Sequence, residues 1–123
     1  MLRSKTASGD DPKASAVAGT EGVPSYSPRI AELEEQFKQQ LKVASPDFQD
    51  EHGYARDEPG AANLSMATAW VGNQFQCLAY TLEMPFKDND NLPDDDTGWN
   101  GQRSLRLGEA TLSAIYGVLK TIR

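Results

Sequence analysis

Residues 75–84 read FQCLAYTLEM, a nearly continuous apolar run that ends before Pro85. A run of this length without polar alternation is typical of a strand that is covered on both faces. Such strands occur in sheets with helices packed against them, so the stretch predicts an α/β fold. We therefore expect one clear buried strand in this part of the chain.

Apolar residues at helical spacing predict three helices around this strand. The first is predicted from about residue 28 to 43, because Ser27 can cap it and Pro28 suits its first turn. The second is predicted to begin at a cap on Asn63 and to end near residue 72 or 73. The third is predicted from about 102 to 122, with these apolar residues at helical spacing: Leu105, Leu112, Ile115, Tyr116, Leu119 and Ile122.

A single strand cannot satisfy its own backbone hydrogen-bonding groups, so the predicted strand needs a partner edge. The sequence offers a second short strand near Val17 or Val23. With so little sheet, we expect an isolated copy of this chain to be marginally stable or to associate.

Composition narrows the functional classes. The 123 residues fit one domain, and 12 Lys and Arg against 18 Asp and Glu give a formal charge of −6. That charge disfavours nucleic-acid binding, and the lack of a long apolar run predicts no membrane contact. One cysteine and one histidine cannot complete a conventional zinc shell. The lone thiol and the absence of a targeting pattern favour a cytoplasmic protein.

Two polar segments flank the first helix. Residues 1–17 have no apolar periodicity and predict a mobile polar arm, which leaves 18–123 as the folded part. The segment from 45 to 62 reads as a long loop, and long loops of this kind are often functional. Within it, Tyr54 offers a hydroxyl and Arg56 a clamp for a carboxylate, although a structural role is the simpler interpretation for both.

Glu83 is the strongest candidate for a catalytic residue. It lies at the carboxyl end of the predicted strand, between Leu82 and Met84. Ligands bind at the carboxyl ends of strands in α/β sheets, and a carboxylate in apolar surroundings suits general acid or base chemistry. The alternative is a structural ion pair with Lys87 or Arg103.

The acidic segment after the predicted strand allows two interpretations, a divalent-cation site or a solvated loop. An EF-hand is excluded because Pro93 stands where that loop needs glycine. An irregular divalent-cation site around Asp88 and Asp90 remains as an alternative to a solvated acidic loop.

Residues 79–88, AYTLEMPFKD, are followed by Asp94, Gly98-Trp99 and Arg103-Ser104. This combination resembles the zinc carboxypeptidases of the cytosolic carboxypeptidase-like subgroup. Residues 18–27, AGTEGVPSYS, and residues 45–48, SPDF, are similar to the same family. The resemblance runs from about residue 18 to 123 and implies a partial three-layer α/β sandwich, the carboxyl-terminal part of a catalytic domain.

The resemblance also implies roles for individual residues. Glu83 corresponds to the family's general base, which takes a proton from water and passes it to the leaving amine. Tyr54 corresponds to the tyrosine that closes over a peptide substrate. The full-length family enzymes use Zn²⁺, and their activity is the removal of carboxy-terminal residues from peptides.

The family's zinc ligands have no match in this sequence. Residues 6–11, TASGDD, stand where a ligand histidine is expected, and Ser8 takes its place. We therefore expect no zinc site and no activity in this chain alone, and a partnership with the missing amino-terminal part of the domain or with a second copy. The alternative function is that of a metal-free pseudoenzyme or peptide-interaction module.

Overall fold

The computed structural model describes residues 15–51 and 55–122. In this part the chain forms three helices and a two-stranded sheet, which confirms the mixed α/β class. The elements in chain order are β1 (Ala16–Ala18), α1 (Pro28–Ala44), α2 (Ala67–Phe75), β2 (Thr81–Glu83) and α3 (Gly101–Val118).

Helix α1 forms almost where the sequence predicts it. The Ser27 side chain accepts a hydrogen bond from the Ile30 amide, and Pro28 occupies the first turn. The helix ends at Ala44, where the Ser45 amide donates to the Leu41 carbonyl. Its apolar side is buried, which confirms the predicted amphipathic helix.

Helix α2 begins at Ala67 with Met66 as its N-cap, three residues after the predicted cap at Asn63. The Asn63 side chain instead accepts hydrogen bonds from the amide and the hydroxyl of Ser65. Such a local turn competes with helix formation, which explains the late start. The helix continues to Phe75 and ends at Gln76 in the left-handed conformation, with φ of 48°.

Because Phe75 belongs to α2, the predicted strand starts too early, and strand β2 contains only Thr81–Glu83. Strand β2 pairs antiparallel with the three residues of β1, and Val17 lies opposite Leu82. The expected partner strand at Val17 is therefore present. Strand β2 is half-buried and not covered on both faces by described residues.

Three residues of the predicted polar arm, 15–17, are placed by the structure. Ser15 is buried and forms an isolated parallel bridge with Phe48, while Ala16 and Val17 lie in β1. These residues are ordered because they pair with neighbouring segments. Residues 1–14, the rest of that arm, lie outside the described residues.

The core lies between α1, α3 and one face of the sheet. Helix α1 packs against α3, and Val17 and Leu82 pack onto this layer from the strands. The buried core residues are Phe37, Leu41, Phe48, Leu107, Ala110, Ala114 and Val118. The small side chains of Ala110 and Ala114 allow the two helices to approach closely.

Helix α3 confirms the predicted helix but turns a different face inward. Its buried residues are Arg103, Leu107, Ala110, Ala114 and Val118, whereas the large apolar residues Leu105, Leu112, Tyr116 and Leu119 are exposed. At about 100° per residue, these two sets lie on opposite sides of the helix. Of the apolar residues that predicted this helix, Ile122 packs against the core, whereas these four do not. Among the described helices, none is both long and apolar enough to cross a membrane.

We predict that Leu41→Ala lowers the free energy of unfolding by about 2–5 kcal/mol, because it opens a cavity at the centre of the helix pair. Leu41 is fully buried, whereas Val43 on the same helix is exposed. Urea denaturation followed by circular dichroism measures the change. Val43→Ala serves as the control and should alter stability by about 0.5 kcal/mol or less. Equal effects of the two substitutions would contradict this packing.

Candidate functional site

Glu83 lies on the sheet face that points away from the helix pair. It is the last residue of β2 and lies opposite Ala16. Side chains alternate along a strand, and Leu82 packs onto the core, so Thr81 and Glu83 project from the other face. The next two residues differ in burial: Met84 is exposed and Pro85 is buried. The half-buried Glu83 thus marks the boundary between the sheet and the following loop.

The same face is bordered by helix α2. The hydroxyl groups of Thr68 and Thr81 lie 2.6 Å apart and share a hydrogen bond. Thr68 is in the first turn of α2, and Thr81 is two residues before Glu83 on the same side of β2. This contact places the start of α2 beside the sheet face that carries Glu83.

The structural ion pair considered for Glu83 is not formed. Within residues 15–51 and 55–122, no hydrogen bond or salt bridge involves the Glu83 carboxylate. The Arg103 guanidinium, 4% exposed, pairs instead with Asp47 and Asp88. The Glu83 carboxylate is thus left without a cationic partner in the described structure.

The Arg103 cluster fixes the loop that follows Glu83. Its guanidinium pairs with Asp47, donates to Asp88 Oδ1 at 3.0 Å and donates to the Leu92 carbonyl at 2.8 Å. It also lies 5.0 Å from the centre of the Trp99 ring. One buried cation therefore joins the segment after α1, the acidic loop and the start of α3.

Asp88 organises the acidic loop through backbone hydrogen bonds. Its carboxylate accepts from the amides of Asp94 at 2.8 Å and Asn89 at 2.7 Å. These bonds, with the positive charge of Arg103, hold the pKa of Asp88 below its ordinary value. Asp94 is similarly bound to the hydroxyl and amide of Thr97, which lowers its pKa.

The described residues do not form a metal site. No group of three or more His, Cys, Asp or Glu side chains among them is arranged to hold an ion. Asp88 and Asp94 turn toward amide and hydroxyl donors of their own loop, so the divalent-cation alternative is not supported there. These residues also do not fit a zinc centre, which needs three or four converging ligands. Ser8 lies outside the described residues.

Of the two predicted substrate-binding residues, the structure describes only Arg56. Tyr54 lies outside the described residues. Arg56 is exposed. Burial and Glu34 raise the pKa of the Tyr26 hydroxyl, and the positive charge of Arg56 opposes this effect only in part. Arg56 forms no hydrogen bond or ion pair with Glu83.

Glu34 is a buried carboxylate that the sequence analysis missed. Its Oε1 accepts from the amide and the hydroxyl of Thr20, both at 2.8 Å, and its Oε2 accepts from the Tyr26 hydroxyl at 3.0 Å. Burial and the charge of Glu34 raise the pKa of Tyr26 to about 12. The helical spacing from Ile30 to Glu34 was the available signal, because it places Glu34 on the buried face.

We predict that Arg103→Ala lowers the free energy of unfolding by about 3–5 kcal/mol, because it leaves the buried Asp47 carboxylate without its cation. Equilibrium urea denaturation measures the loss. Arg106→Ala removes an exposed charge from the same helix and should change stability by about 0.5 kcal/mol or less. A similar small loss for both variants would show that the cluster does not stabilise the fold.

Acid should weaken the same cluster. Because the folded pKa of Asp88 is depressed, its contribution is complete above the unfolded value of about 4 and is lost as the pH falls below that value. Urea midpoints measured at about pH 6 and about pH 3 should therefore differ less in Asp88→Asn than in the parent chain. Asp90→Asn, at an exposed position in the same loop, is the control and should retain the parent's dependence. An unchanged dependence in Asp88→Asn would contradict this assignment.

Comparison with known proteins relates this arrangement to a family. No family model matches the chain. An uncharacterised protein of Zymomonas mobilis is 40% identical over 99 residues, which cover 80% of this chain and 26% of that protein.

Solved structures give a closer correspondence. A provisionally assigned carboxypeptidase A from Shewanella denitrificans is 50% identical with a TM-score of 0.89, over 90% of this chain and 30% of that one. A metallo-carboxypeptidase from Pseudomonas aeruginosa, solved with (2-guanidinoethylmercapto)succinic acid, is 45% identical with a TM-score of 0.88, over 90% and 29%. A metallo-carboxypeptidase from Burkholderia cenocepacia is 49% identical with a TM-score of 0.82, over 89% and 29%.

The chain thus spans less than a third of the length of the relatives it matches, while 80–90% of its own length is matched. The agreement includes both sequence and fold. In sequence and in structure, the chain is similar to a segment of the metallo-carboxypeptidases.

Proposed function

We propose that this chain is the carboxyl-terminal part of a zinc-dependent carboxypeptidase domain that removes carboxy-terminal residues from peptides. The observation that supports this most directly is the position of Glu83. Its carboxylate ends a strand, lies on the face away from the core, and has no ion pair with a described residue. A carboxylate in this position is available to exchange protons with a bound molecule.

Glu83 acts as the general base in this proposal. Its carboxylate accepts a proton from the water whose oxygen attacks the carbonyl carbon of the terminal peptide bond. The same proton then passes to the nitrogen of the leaving residue as the carbon–nitrogen bond breaks, so the carboxylate is regenerated. The Arg103 cluster supports this role by fixing the loop after β2.

Metal chemistry belongs to the complete domain in this proposal. A zinc ion supplies Lewis-acid activation of a carbonyl in metallo-hydrolases. The described residues do not fit such a centre, so we assign no step through a metal to this chain and expect the chain alone to be inactive.

Tyr54 and Arg56 are proposed to contact the peptide substrate. Arg56 is exposed, and a guanidinium can clamp the carboxylate of a peptide terminus. The Pseudomonas aeruginosa relative was solved with a ligand that its name identifies as a succinic acid, which carries two carboxyl groups. Recognition of a carboxylate by this part of the family fold is consistent with that ligand.

A chimera tests the role of Glu83. Residues 15–122 of this chain would replace the matching segment of the Pseudomonas aeruginosa relative, which leaves in place the region where the resemblance puts the zinc ligands. In this chimera, Glu83→Gln should lower kcat/KM for release of a carboxy-terminal residue by about 10²–10⁴-fold, since it removes the proton acceptor but keeps the side-chain size. Zinc content, measured by elemental analysis, should be unchanged.

The control is Glu109→Gln, which removes an exposed carboxylate from α3 and should leave kcat/KM unchanged. Full activity in Glu83→Gln would refute the general-base assignment. A chimera that binds zinc and peptide without turnover, even with Glu83 intact, would instead support the pseudoenzyme or peptide-interaction alternative.

A further inference from the structure

Helix α3 has a second apolar face, which we call the outer stripe and define as Leu105, Leu112, Tyr116 and Leu119. These side chains are 65%, 68%, 79% and 50% exposed. Their spacings of seven, four and three residues place them along one side of the helix. That side lies opposite the face that packs against α1.

The outer stripe is larger than the scattered apolar exposure of an ordinary surface. Single exposed leucines are common, but a contiguous apolar patch usually marks a contact site. Here one helix presents three large aliphatic side chains and one aromatic ring in a row. No residue within 15–51 or 55–122 buries them.

The sheet has an open side as well. The outer side of β1 is bordered by the segment after α1, because Ser15 bridges Phe48 and its carbonyl accepts from the Gln49 amide. The outer edge of β2 pairs with no strand in the described part of the chain. An open edge is a template for another strand, and this one carries Glu83.

We propose that the outer stripe and the open edge of β2 form the docking surface for the remainder of a metallo-carboxypeptidase domain. This inference rests on the proposed function. The occupant follows from the comparisons, since the chain matches 90% of its own length but only 30% of the Shewanella denitrificans structure. The other 70% of such a chain is the source of the covering layer, and the two unpartnered surfaces are where it can bury apolar area and extend the sheet.

A second copy of this chain is the weaker candidate. Each copy carries a net charge of −6, so two copies repel each other at long range. The relatives share the fold of this segment within a longer chain, which gives a specific source for the covering layer.

Thiol labelling of the isolated chain and of the chimera tests the docking surface. Both carry Cys77→Ser, which removes the only native cysteine of the segment, and any cysteines of the relative's portion are also replaced by serine. Leu112→Cys reports on the outer stripe, and Gln39→Cys reports on the polar face of α1. We expect Leu112→Cys to react at least about tenfold more slowly with a maleimide in the chimera than in the isolated chain, while Gln39→Cys reacts similarly in both.

Hydrogen exchange on the same two proteins examines the sheet edge. The amides of Thr81–Glu83 should exchange more slowly in the chimera than in the isolated chain, because a neighbouring strand then covers β2. Exchange at equal rates in both proteins would show that the edge stays open.

Three results would overturn the proposal. Equal labelling of Leu112→Cys in both proteins would mean that nothing covers the stripe. Protection that appears in the isolated chain and increases with its concentration would identify a second copy as the occupant. A chimera that does not fold would show that this surface does not fit the remainder of the domain. None of these measurements depends on turnover, so inactivity of the chimera would count against the proposed function and not against the docking surface.

Discussion

The position of Glu83 depends on the pairing of β1 with β2. Val17 opposite Leu82 directs both side chains into the layer of α1 and α3, and the alternation of a strand then directs Glu83 to the opposite face. A shift of one residue in this register would place the Glu83 carboxylate against the apolar core and Leu82 outside. The cost of burying an unpaired carboxylate makes that alternative register unfavourable. The packing of two aliphatic side chains thus decides where the candidate base lies.

Two buried polar clusters secure the segments next to this short sheet. Glu34 binds Thr20, which follows β1, through two hydrogen bonds of 2.8 Å. Arg103 binds the loop that follows β2 and connects it to the segment after α1 through Asp47. Neither strand is long enough to hold its ends by backbone pairing alone. The charged side chains of α1 and α3 hold these ends in place, whereas a larger sheet would use more backbone hydrogen bonds.

The sequence allowed good prediction of elements whose signals are local. Helix α1 was predicted closely because Ser27, Pro28 and the apolar spacing all act within a few residues. The start of α2 was missed because Asn63 satisfies a turn rather than a helix, and either use of the side chain is compatible with the same local sequence. The length of β2 was overestimated because a strand extends only as far as its partner pairs with it. Strand β1 has three residues, and the sequence of β2 does not contain that limit.

The residues of the candidate site also differ in whether their signals are local. Glu83 was found because it interrupts an apolar run, whereas the ion pair of Arg103 with Asp47 joins residues 56 positions apart and leaves no local pattern. Glu34 was overlooked because a carboxylate within a charged helix is normally solvated. In each case the missing information was a contact between distant segments.

The exposed apolar face of α3 has a different physical origin. A helix that contacts one neighbour should bury its largest apolar side chains there, yet α3 buries Ala110 and Ala114 and exposes Leu112 and Tyr116. A helix that is apolar on two sides is expected where it is covered on both. The open edge of β2 has the same requirement, because an interior strand needs partners on each side. The proposed remainder of the domain satisfies both with a single covering layer, and it would enclose the sheet edge that carries Glu83. Completion of the fold and completion of the site would then be the same event.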